Sequence, residues 1–474
     1  MMKSVLCNQG YIINKKYFNE NILNKIKNEL YVKPYVRGKR GQYTKRFKIY
    51  LENKSKLCIP KFYGLEKIGK PDIIDINNGN EINLTFNGNL RDYQIKVIQK
   101  VLPLIKNQKG GTISLPPGRG KTVIACNLIS LLKTKTLVIV HKTFLLNQWI
   151  NRINFFLPEA KVGKIQGSKI DIDDKDIVIG MLQSISLKDD YPDNLFDSFG
   201  ALIIDESHHI SSEKFSQLFK KVNTKYMIGL SATPFRDDKL EKVINWYIGN
   251  IIYYEEAKIN QDILVHIHKF DMDHEKYTLV HNKYTQEVQV SSMISNIIEL
   301  TERNIYISNI IKKCRENKDR KILVLSDRLD HLDYLINRVK KFNIGTLSKY
   351  VGGMKQSLLD EAEKADVIFS TYTMSSEALD ISSLNTIILA TSRRKVEQSV
   401  GRILRKQKGN YKIQPLIIDI VDKLKTFTNQ SYIRKKYYKK ITNESNIKTF
   451  IYKNKKMIEE KTIKNKKQIM VDSD

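Results

Sequence analysis

The chain has 474 residues, of which 41% are hydrophobic and 28% are charged, values typical of a folded protein. Its 81 Lys and Arg residues outnumber its 51 Asp and Glu residues, which gives a formal net charge of +30. Such an excess favours polyanionic partners, nucleic acid or an anionic membrane surface. The abundance of Lys, Asn and Ile is also what an AT-rich genome produces, so charge alone supports nucleic acid only weakly.

The four cysteines are scattered and have no C-x-x-C spacing. This pattern argues against a structural zinc site, an iron–sulfur cluster and a disulfide framework, and it fits a reducing compartment. No apolar run approaches the roughly 20 residues that span a bilayer, and the first residues do not lead into a signal-peptide core. We therefore expect a soluble intracellular protein without a membrane partner.

The order of short and long apolar runs predicts the domain organisation. Residues 1–88 are polar and basic, with short strand-like runs such as FKIYLE, and predict a small accessory domain. Beyond them, short β-branched runs alternate with helical stretches, as in a parallel sheet with crossover helices, and a second such set follows Met293. We predict an α/β fold with domains over residues 89–255 and 256–425, and a basic C-terminal extension over residues 426–474.

The stretch SLPPGRGKT contains the glycines and the lysine of a phosphate-binding loop, with Leu115 where the usual G-x-x-x-x-G-K-[ST] pattern has its first glycine. A strand before the loop and a helix after it would aim backbone N–H groups at phosphate. Lys121 would reach the β and γ phosphates of ATP, and the Thr122 hydroxyl would ligate Mg²⁺. The alternative is a surface turn. The predicted ATP-binding residues of the loop are Pro117, Gly118, Arg119, Gly120, Lys121 and Thr122.

The stretch ALIIDESHH predicts the second half of the same site. An apolar strand that ends in two acidic residues would let Asp205 hold Mg²⁺ through water and let Glu206 orient or deprotonate the attacking water. The alternative is an ordinary acidic helix N-terminus.

Two further stretches flank these motifs. In LRDYQ, Arg91 and Gln94 are candidates for reading the adenine base, because a Gln amide can pair with N6 and N7 of adenine. GLSATP contains small residues that would relay the nucleotide state to His208. These residues are Ser231, Ala232 and Thr233.

Late in the chain, QSVGRILR has two arginines at i and i+3, Arg402 and Arg405, which predict one basic helix face. Guanidinium groups there, together with Gln398, would stabilise the charge that develops on a transferred phosphoryl group. The alternative is a solvated basic helix, although Gly401 would interrupt such a helix without an obvious benefit.

In this order, LRDYQ, PPGRGKT, DESH, SAT and QSVGRILR resemble the signature motifs of superfamily 2 DExH helicases. The resemblance extends from about Leu90 to Asp422. It implies two tandem RecA-like domains, ATP and Mg²⁺ as cofactors, and a nucleic-acid substrate. Many members of that superfamily have a residue other than glycine at the position of Leu115.

Other segments resemble the strand-contacting motifs of the same superfamily, namely HKTFLLNQW, IGMLQS, VLSDR and STYTMSSEALDI. Their hydroxyl, amide and lysine side chains suit phosphate and sugar contacts, which carry no sequence information. The implied nucleic-acid contacts are Lys142, Thr143, Gln183, Ser184, Ser326 and Thr371. Coupling roles near the interdomain cleft are implied for Glu377 and Asp380.

SATPFRDD resembles the XPB-like branch, where an Arg-acidic-Asp triplet follows SAT, although Asp237 stands where XPB proteins carry glutamate. IPKFYGLEKIG, YVGGMKQ and TYTMSSEALDI resemble poxvirus transcript-release DNA helicases and their relatives in large DNA viruses. This likeness implies a DNA translocase that moves 3′ to 5′ and helps a viral RNA polymerase release transcripts. For the oligomeric state, a monomer is favoured. Its expected location is the host cytoplasm and the virion.

Three alternatives stay open: a repair or recombination helicase, an RNA helicase, and an inactive nucleic-acid-binding scaffold. The intact motif residues count against the scaffold. SYIRKKYYKK would either stack bases on Tyr432, Tyr437 and Tyr438 or form an amphipathic helix on the second motor domain. KPYVRGKRGQYTKRFK near the N-terminus would either grip duplex DNA or dock a polymerase.

Overall fold

The computed structural model describes residues 3–35, 45–188, 191–192, 194–209, 212–232, 240–256, 262–377, 379, 381, 383–404, 412–453 and 456–459. The chain folds as two compact units, Met1–Glu256 and Ala257–Asp474. None of the helices in this described part combines the length and the apolar character needed to cross a bilayer.

The first unit begins with a small five-stranded sheet of order β5-β6-β2-β1-β7, in which only the β1–β7 pairing is parallel. Strands β3 and β4 pair separately. The elements are β1 Ser4–Cys7, β2 Gly10–Asn14, α1 Glu20–Glu29, β3 Tyr31–Val32, β4 Phe47–Lys48, β5 Leu51–Glu52, β6 Lys56–Ile59, α2 Lys61–Lys67 and β7 Ile73–Asp75.

The larger sheet of the first unit has the order β11-β10-β12-β9-β13-β14-β8-β15 and is parallel except for the β10–β11 pair. Strands β8, β9, β12, β13 and β14 are buried throughout, as expected for parallel strands covered on both faces. The elements are α3 Asp92–Gln108, β8 Gly110–Ser114, α4 Lys121–Leu132, β9 Thr136–Val140, α5 Thr143–Phe156, β10 Val162–Gln166, β11 Lys169–Asp171, β12 Ile177–Met181, α6 Leu182–Leu187, β13 Ala201–Ile204, α7 Glu213–Ser216, β14 Tyr226–Ser231, α8 Glu241–Ile248 and β15 Ile251–Tyr254.

A buried lysine fastens the small sheet to the larger one. The Lys61 ammonium nitrogen, at the start of α2, donates to the carbonyl oxygens of Thr224 (3.0 Å) and Lys225 (2.8 Å). Burial lowers the pKa of Lys61 to about 7. Because Thr224 and Lys225 precede β14, this attachment lies at the amino end of that strand.

The second unit contains a sheet of order β18-β19-β17-β20-β21-β16-β22-β23, which is parallel except for the β22–β23 pair. This architecture confirms the prediction of an α/β protein with tandem parallel sheets. The elements are β16 Leu264–Phe270, α9 Val290–Ile298, α10 Thr301–Arg315, β17 Ile322–Ser326, α11 Leu329–Lys340, β18 Leu347–Tyr350, α12 Gln356–Ala362, β19 Val367–Thr371, α13 Tyr372–Glu377, β20 Thr386–Leu389, α14 Glu397–Val400, β21 Leu416–Asp422, α15 Lys425–Ile441, β22 Ile447–Lys453 and β23 Lys456–Glu459.

The residues after β21 are integrated into this second unit, because β22 pairs in parallel with β16. Helix α15 is held to β21 by the Arg434 guanidinium, whose two bonds to the Asp419 carboxylate measure 2.8 and 2.9 Å. The Tyr438 hydroxyl donates to the same carboxylate at 3.0 Å. Tyr438 is therefore buried, whereas Tyr432 is 64% exposed. The stretch SYIRKKYYKK forms the amphipathic helix of the second alternative.

Replacement of Arg434 by Met is expected to destabilise the second unit by about 3–5 kcal/mol, because Asp419 then stays buried without its cationic partner. Denaturant titration with circular dichroism measures the change. Lys435→Met, an exposed substitution on the same helix, is the matched control and should lie within about 0.5 kcal/mol of wild type. Equal losses in the two variants would contradict the role given to this ion pair.

Candidate functional site

The phosphate loop connects β8 to α4. Gly118 (φ 80°) and Gly120 (φ 72°) both have left-handed backbone conformations, which residues other than glycine rarely adopt. Leu115 is fully buried, and its backbone N–H donates to the Ser231 carbonyl at 3.0 Å. The position of the missing glycine is thus filled by a core side chain that anchors the start of the loop.

LRDYQ lies against this loop. Gln94 is 4% exposed, and its Nε2 donates to the Arg119 carbonyl at 3.4 Å while its Oε1 accepts from the Arg91 backbone N–H at 2.9 Å. A Cβ added at Gly120 would lie 2.5 Å from Gln94 Nε2. In this structure Gln94 therefore braces the loop and caps α3, and the Arg91 side chain is exposed.

Arg119 has two partners that the motif pattern did not predict. Its guanidinium carbon lies 3.7 Å from the centroid of the Tyr93 ring, and its Nη2 is 2.5 Å from the Glu255 carboxylate. The Tyr93 hydroxyl also donates to the Arg119 carbonyl at 3.2 Å. Tyr93 belongs to the quoted stretch LRDYQ, whereas Glu255 belongs to none of the predicted motifs.

At the carboxyl ends of β13 and β14, four polar side chains form a chain of contacts. Lys121 Nζ lies 3.7 Å from Glu206 Oε1. His208 Nδ1 lies 3.3 Å from Glu206 Oε2 and 3.3 Å from Ser231 Oγ. The phosphate loop, DESH and SAT therefore converge on one region of the first unit.

Asp205 lies beside this chain and is partly buried. Burial, followed by the negative charge of Glu206, raises the pKa of the Asp205 carboxyl. Its Oδ2 accepts from Trp149 Nε1 at 2.9 Å, and its Oδ1 accepts from the Glu206 backbone N–H at 3.0 Å. Glu206 itself has φ 49°, a costly conformation that is typical of functional sites. Trp149 has no role among the sequence predictions, although it is the last residue of the quoted stretch HKTFLLNQW.

The chemistry of these groups fits a magnesium–nucleotide complex. Lys121 offers a cation, Thr122 a partly exposed hydroxyl and Asp205 a carboxylate, whereas the described residues contain no cluster of three or more acidic, His or Cys side chains that could cage a metal. Mg²⁺ is commonly bound by one or two protein oxygens together with substrate phosphates. These residues are therefore suited to an ion that arrives with its nucleotide.

The first-unit residues predicted to contact nucleic acid cluster around the start of α5. Lys142 is the N-cap residue of this helix, and Thr143 Oγ1 accepts from Gln166 Nε2 at 3.4 Å. Gln183 Nε2 donates to the His141 carbonyl at 2.8 Å. Ser184, next to Gln183, accepts from the Gly167 N–H at 2.8 Å.

In the second unit, Ser326 and Thr371 end the neighbouring strands β17 and β19. Ser326 is fully buried, and its hydroxyl bonds to His331 Nδ1 at 2.9 Å, whereas Thr371 is partly exposed and accepts from the Met374 N–H at 3.3 Å. The Ser326 hydroxyl is therefore engaged inside the unit.

The predicted helix QSVGRILR is shorter than expected, and this part of the prediction is wrong. Helix α14 contains Gln398 but ends at Val400. The chain continues through Arg402 with i→i+3 bonds, consistent with the low helix propensity of Gly401. Several predicted residues lie outside the described residues, namely Thr233, Arg236, Asp237, Asp238, Asp380 and Arg405, and the same holds for the Glu377 side chain.

Comparison with known proteins identifies viral relatives over most of the chain. Residues 87–236 match the family described as "Type III restriction enzyme, res subunit". The chain is 36% identical over 449 residues to "Putative ATP-dependent RNA helicase L396" of Acanthamoeba polyphaga mimivirus, covering 93% of this chain and 86% of that protein. It is 26% identical over 379 residues to "Putative ATP-dependent RNA helicase QP509L" of African swine fever virus (isolate Tick/Malawi/Lil 20-1/1983), covering 74% and 73%.

A solved structure supports the fold. The ATP-dependent Type ISP restriction-modification enzyme LlaBIII, bound to DNA, aligns with a TM-score of 0.54 at 16% identity. The alignment covers 78% of this chain and 32% of that chain. At this identity the likeness concerns the arrangement of the sheets and helices alone.

Gly120→Ala is expected to weaken ATP binding about tenfold or more, because the loop must shift to relieve both the left-handed backbone and the contact with Gln94. Titration with a fluorescent ATP analogue measures the affinity. Gly167→Ala is the matched control, since Gly167 also has a positive φ (59°) but has no atom within 4 Å of an added Cβ. Unchanged affinity in Gly120→Ala, or an equal loss in both, would contradict this account of the loop.

Proposed function

Because this chain belongs to the superfamily 2 ATP-dependent helicases, in one family with helicases of large DNA viruses, we propose that it is a DNA translocase of viral transcription. It hydrolyses ATP in its first unit, moves 3′ to 5′ along one strand, and helps an RNA polymerase release its transcript. The poxvirus-like stretches IPKFYGLEKIG, YVGGMKQ and TYTMSSEALDI support the transcription role.

One observation carries the ATPase part of this proposal. Lys121, Glu206, His208 and Ser231, from three separate motifs, form a continuous chain of contacts of 3.3 to 3.7 Å. A structural ion pair would need only two of these groups. The four groups place a phosphate-binding cation, Lys121, next to a carboxylate that can act as a base, Glu206. His208 then connects this carboxylate to Ser231 at the end of β14.

The residues then take the following roles in hydrolysis. Lys121 leaves Glu206 and binds the β and γ phosphates of ATP, which frees the Glu206 carboxylate to accept a proton from the attacking water. Asp205 and Thr122 would hold Mg²⁺, which would neutralise phosphate charge when bound. His208 relays the change at Glu206 to Ser231.

The second unit completes the motor. Arg402 and Arg405, with Gln398, stabilise the charge on the transferred phosphoryl group. Lys142, Thr143, Gln183, Ser184 and Thr371 hold the strand through its backbone, whereas the buried Ser326 hydroxyl is engaged with His331. Glu377 and Asp380 couple the two activities.

RNA is the second candidate substrate, because the mimivirus and African swine fever virus relatives are named as RNA helicases. Backbone contacts do not by themselves distinguish the two polymers, whereas the 2′-hydroxyl allows a protein to do so. The preference between DNA and RNA is therefore a property of contacts around α5, β17 and β19.

Purified protein is expected to hydrolyse ATP several-fold faster with single-stranded DNA than without polymer, and faster than with RNA. Lys121→Ala should lower the stimulated kcat/KM about 100-fold or more, because the phosphates lose their main cation. Lys96→Ala, an exposed lysine on α3, is the matched control. Stronger stimulation by RNA would replace DNA as the substrate, and binding without turnover on any polymer would favour the inactive scaffold.

Glu206→Gln is expected to keep ATP binding within about threefold of wild type while kcat falls about 100-fold or more, because an amide cannot accept the proton of the attacking water. Equilibrium binding of a fluorescent ATP analogue and single-turnover hydrolysis separate the two effects. Undiminished hydrolysis in this variant would exclude Glu206 as the base.

A further inference from the structure

The Trp149 indole hydrogen-bonds to Asp205 from the helix that begins with the predicted nucleic-acid contacts. Trp149 lies on α5 and is 1% exposed. Its Nε1–H donates to Asp205 Oδ2 at 2.9 Å. The other oxygen of the Asp205 carboxylate accepts from the backbone N–H of Glu206, the proposed base. The indole therefore holds a carboxylate that is itself hydrogen-bonded to the backbone of Glu206.

The N-terminal end of α5 carries two of the predicted nucleic-acid contacts. Lys142 caps the helix and Thr143 is its first residue. Trp149 is six residues further on, about 9 Å along the axis at 1.5 Å per residue. No proline or glycine interrupts the intervening FLLNQ, so a displacement at Thr143 is transmitted to Trp149 by a continuous helix.

We propose that Trp149 is a positioning residue that couples nucleic-acid binding at the start of α5 to the orientation of the Asp205 carboxylate, and thereby produces polymer-stimulated ATP hydrolysis. This inference rests on the proposed function, because it assigns Asp205 to the magnesium–nucleotide site. It concerns regulation of that site by the last residue of the stretch HKTFLLNQW, a residue that was given no role in the sequence predictions.

The surroundings of Asp205 make its orientation sensitive to this bond. The carboxylate is partly buried beside Glu206 and accepts one bond from Trp149 and one from the Glu206 backbone, so loss of the Trp149 donor removes one of its two donors. Glu206 adopts a left-handed backbone conformation at φ 49°. A small rotation of Asp205 therefore changes the strain on the next residue, which carries the proposed base.

A purely structural explanation is also available, because a buried tryptophan usually finds an acceptor for its N–H wherever it packs. The two explanations differ in one respect. A packing role predicts that loss of the N–H affects hydrolysis equally with and without polymer, whereas a coupling role predicts a loss concentrated in the stimulated rate.

Trp149→Phe removes the N–H and keeps an aromatic ring. The ratio of DNA-stimulated to basal kcat is expected to fall about tenfold or more, as for loss of a residue that orients a metal ligand. The Mg²⁺ concentration for half-maximal activity should rise, and oligonucleotide affinity should stay within about twofold of wild type, since no phosphate contact is lost. Trp246→Phe is the matched control, because Trp246 packs edge-on against Tyr63 at 5.2 Å and should leave the ratio unchanged.

A second readout does not depend on turnover. The chain has two tryptophans, so Trp246→Phe leaves Trp149 as the single indole. Its emission is expected to change when a saturating oligonucleotide is added without nucleotide, beyond any change seen for Trp149→Phe, in which only Trp246 emits.

Two results would overturn the proposal: an unchanged stimulation ratio in Trp149→Phe, including an equal fall of basal and stimulated rates, or an indole emission that does not change when the oligonucleotide is added. If wild-type protein is not stimulated by any polymer, the proposed function fails instead. The emission measurement then still decides whether polymer binding reaches Trp149.

Discussion

Parallel pairing of β9, β13, β14 and β8 is the constraint on which the site depends. Ile204 of β13 pairs with Ile139 and Gly229 of its two neighbours, and Ser231 pairs with Ser114. Because all four strands run in the same direction, their carboxyl ends share one edge of the sheet. The phosphate loop, DESH, SAT and the start of α5 follow these four strands directly. Lys61, at the start of α2, contacts the chain at the opposite, amino end of β14.

At this edge, neighbouring groups have opposing effects on the pKa of the Asp205 carboxyl. Burial and the charge of Glu206 raise the pKa of Asp205, while the Trp149 N–H and Lys121 favour its charged form. Lys121 Nζ, at 3.7 Å, only partly compensates Glu206. Two neighbouring carboxylates with one nearby cation gain from a further cation, and a phosphate loop with its own lysine gains from an anion. A magnesium–nucleotide complex satisfies both, which is why we regard the site as completed by its substrate.

Much of the fold was predictable from the sequence, because buried parallel strands are written as short apolar runs such as TLVIV and ALII, separated by helical periods. The motif residues were also predictable, because each motif is a short contiguous stretch of the sequence. The contacts of Trp149 with Asp205 and of Arg119 with Glu255 were not, since they join segments that meet only after the sheet has formed. The short helix α14 and the pairing of β22 with β16 likewise depend on tertiary packing, which overrides local patterns.

The central claim is that one protein links a nucleotide site to a nucleic-acid surface, and the most direct test is the free energy of that link. The measurement is the affinity of a labelled single-stranded oligonucleotide for the full chain, without nucleotide, with ADP, and with a non-hydrolysable ATP analogue and Mg²⁺. The account predicts dissociation constants that differ at least about fivefold between nucleotide states, with a reciprocal change in nucleotide affinity. Identical dissociation constants in all three states would contradict it, because a ligand without differential affinity cannot drive a motor.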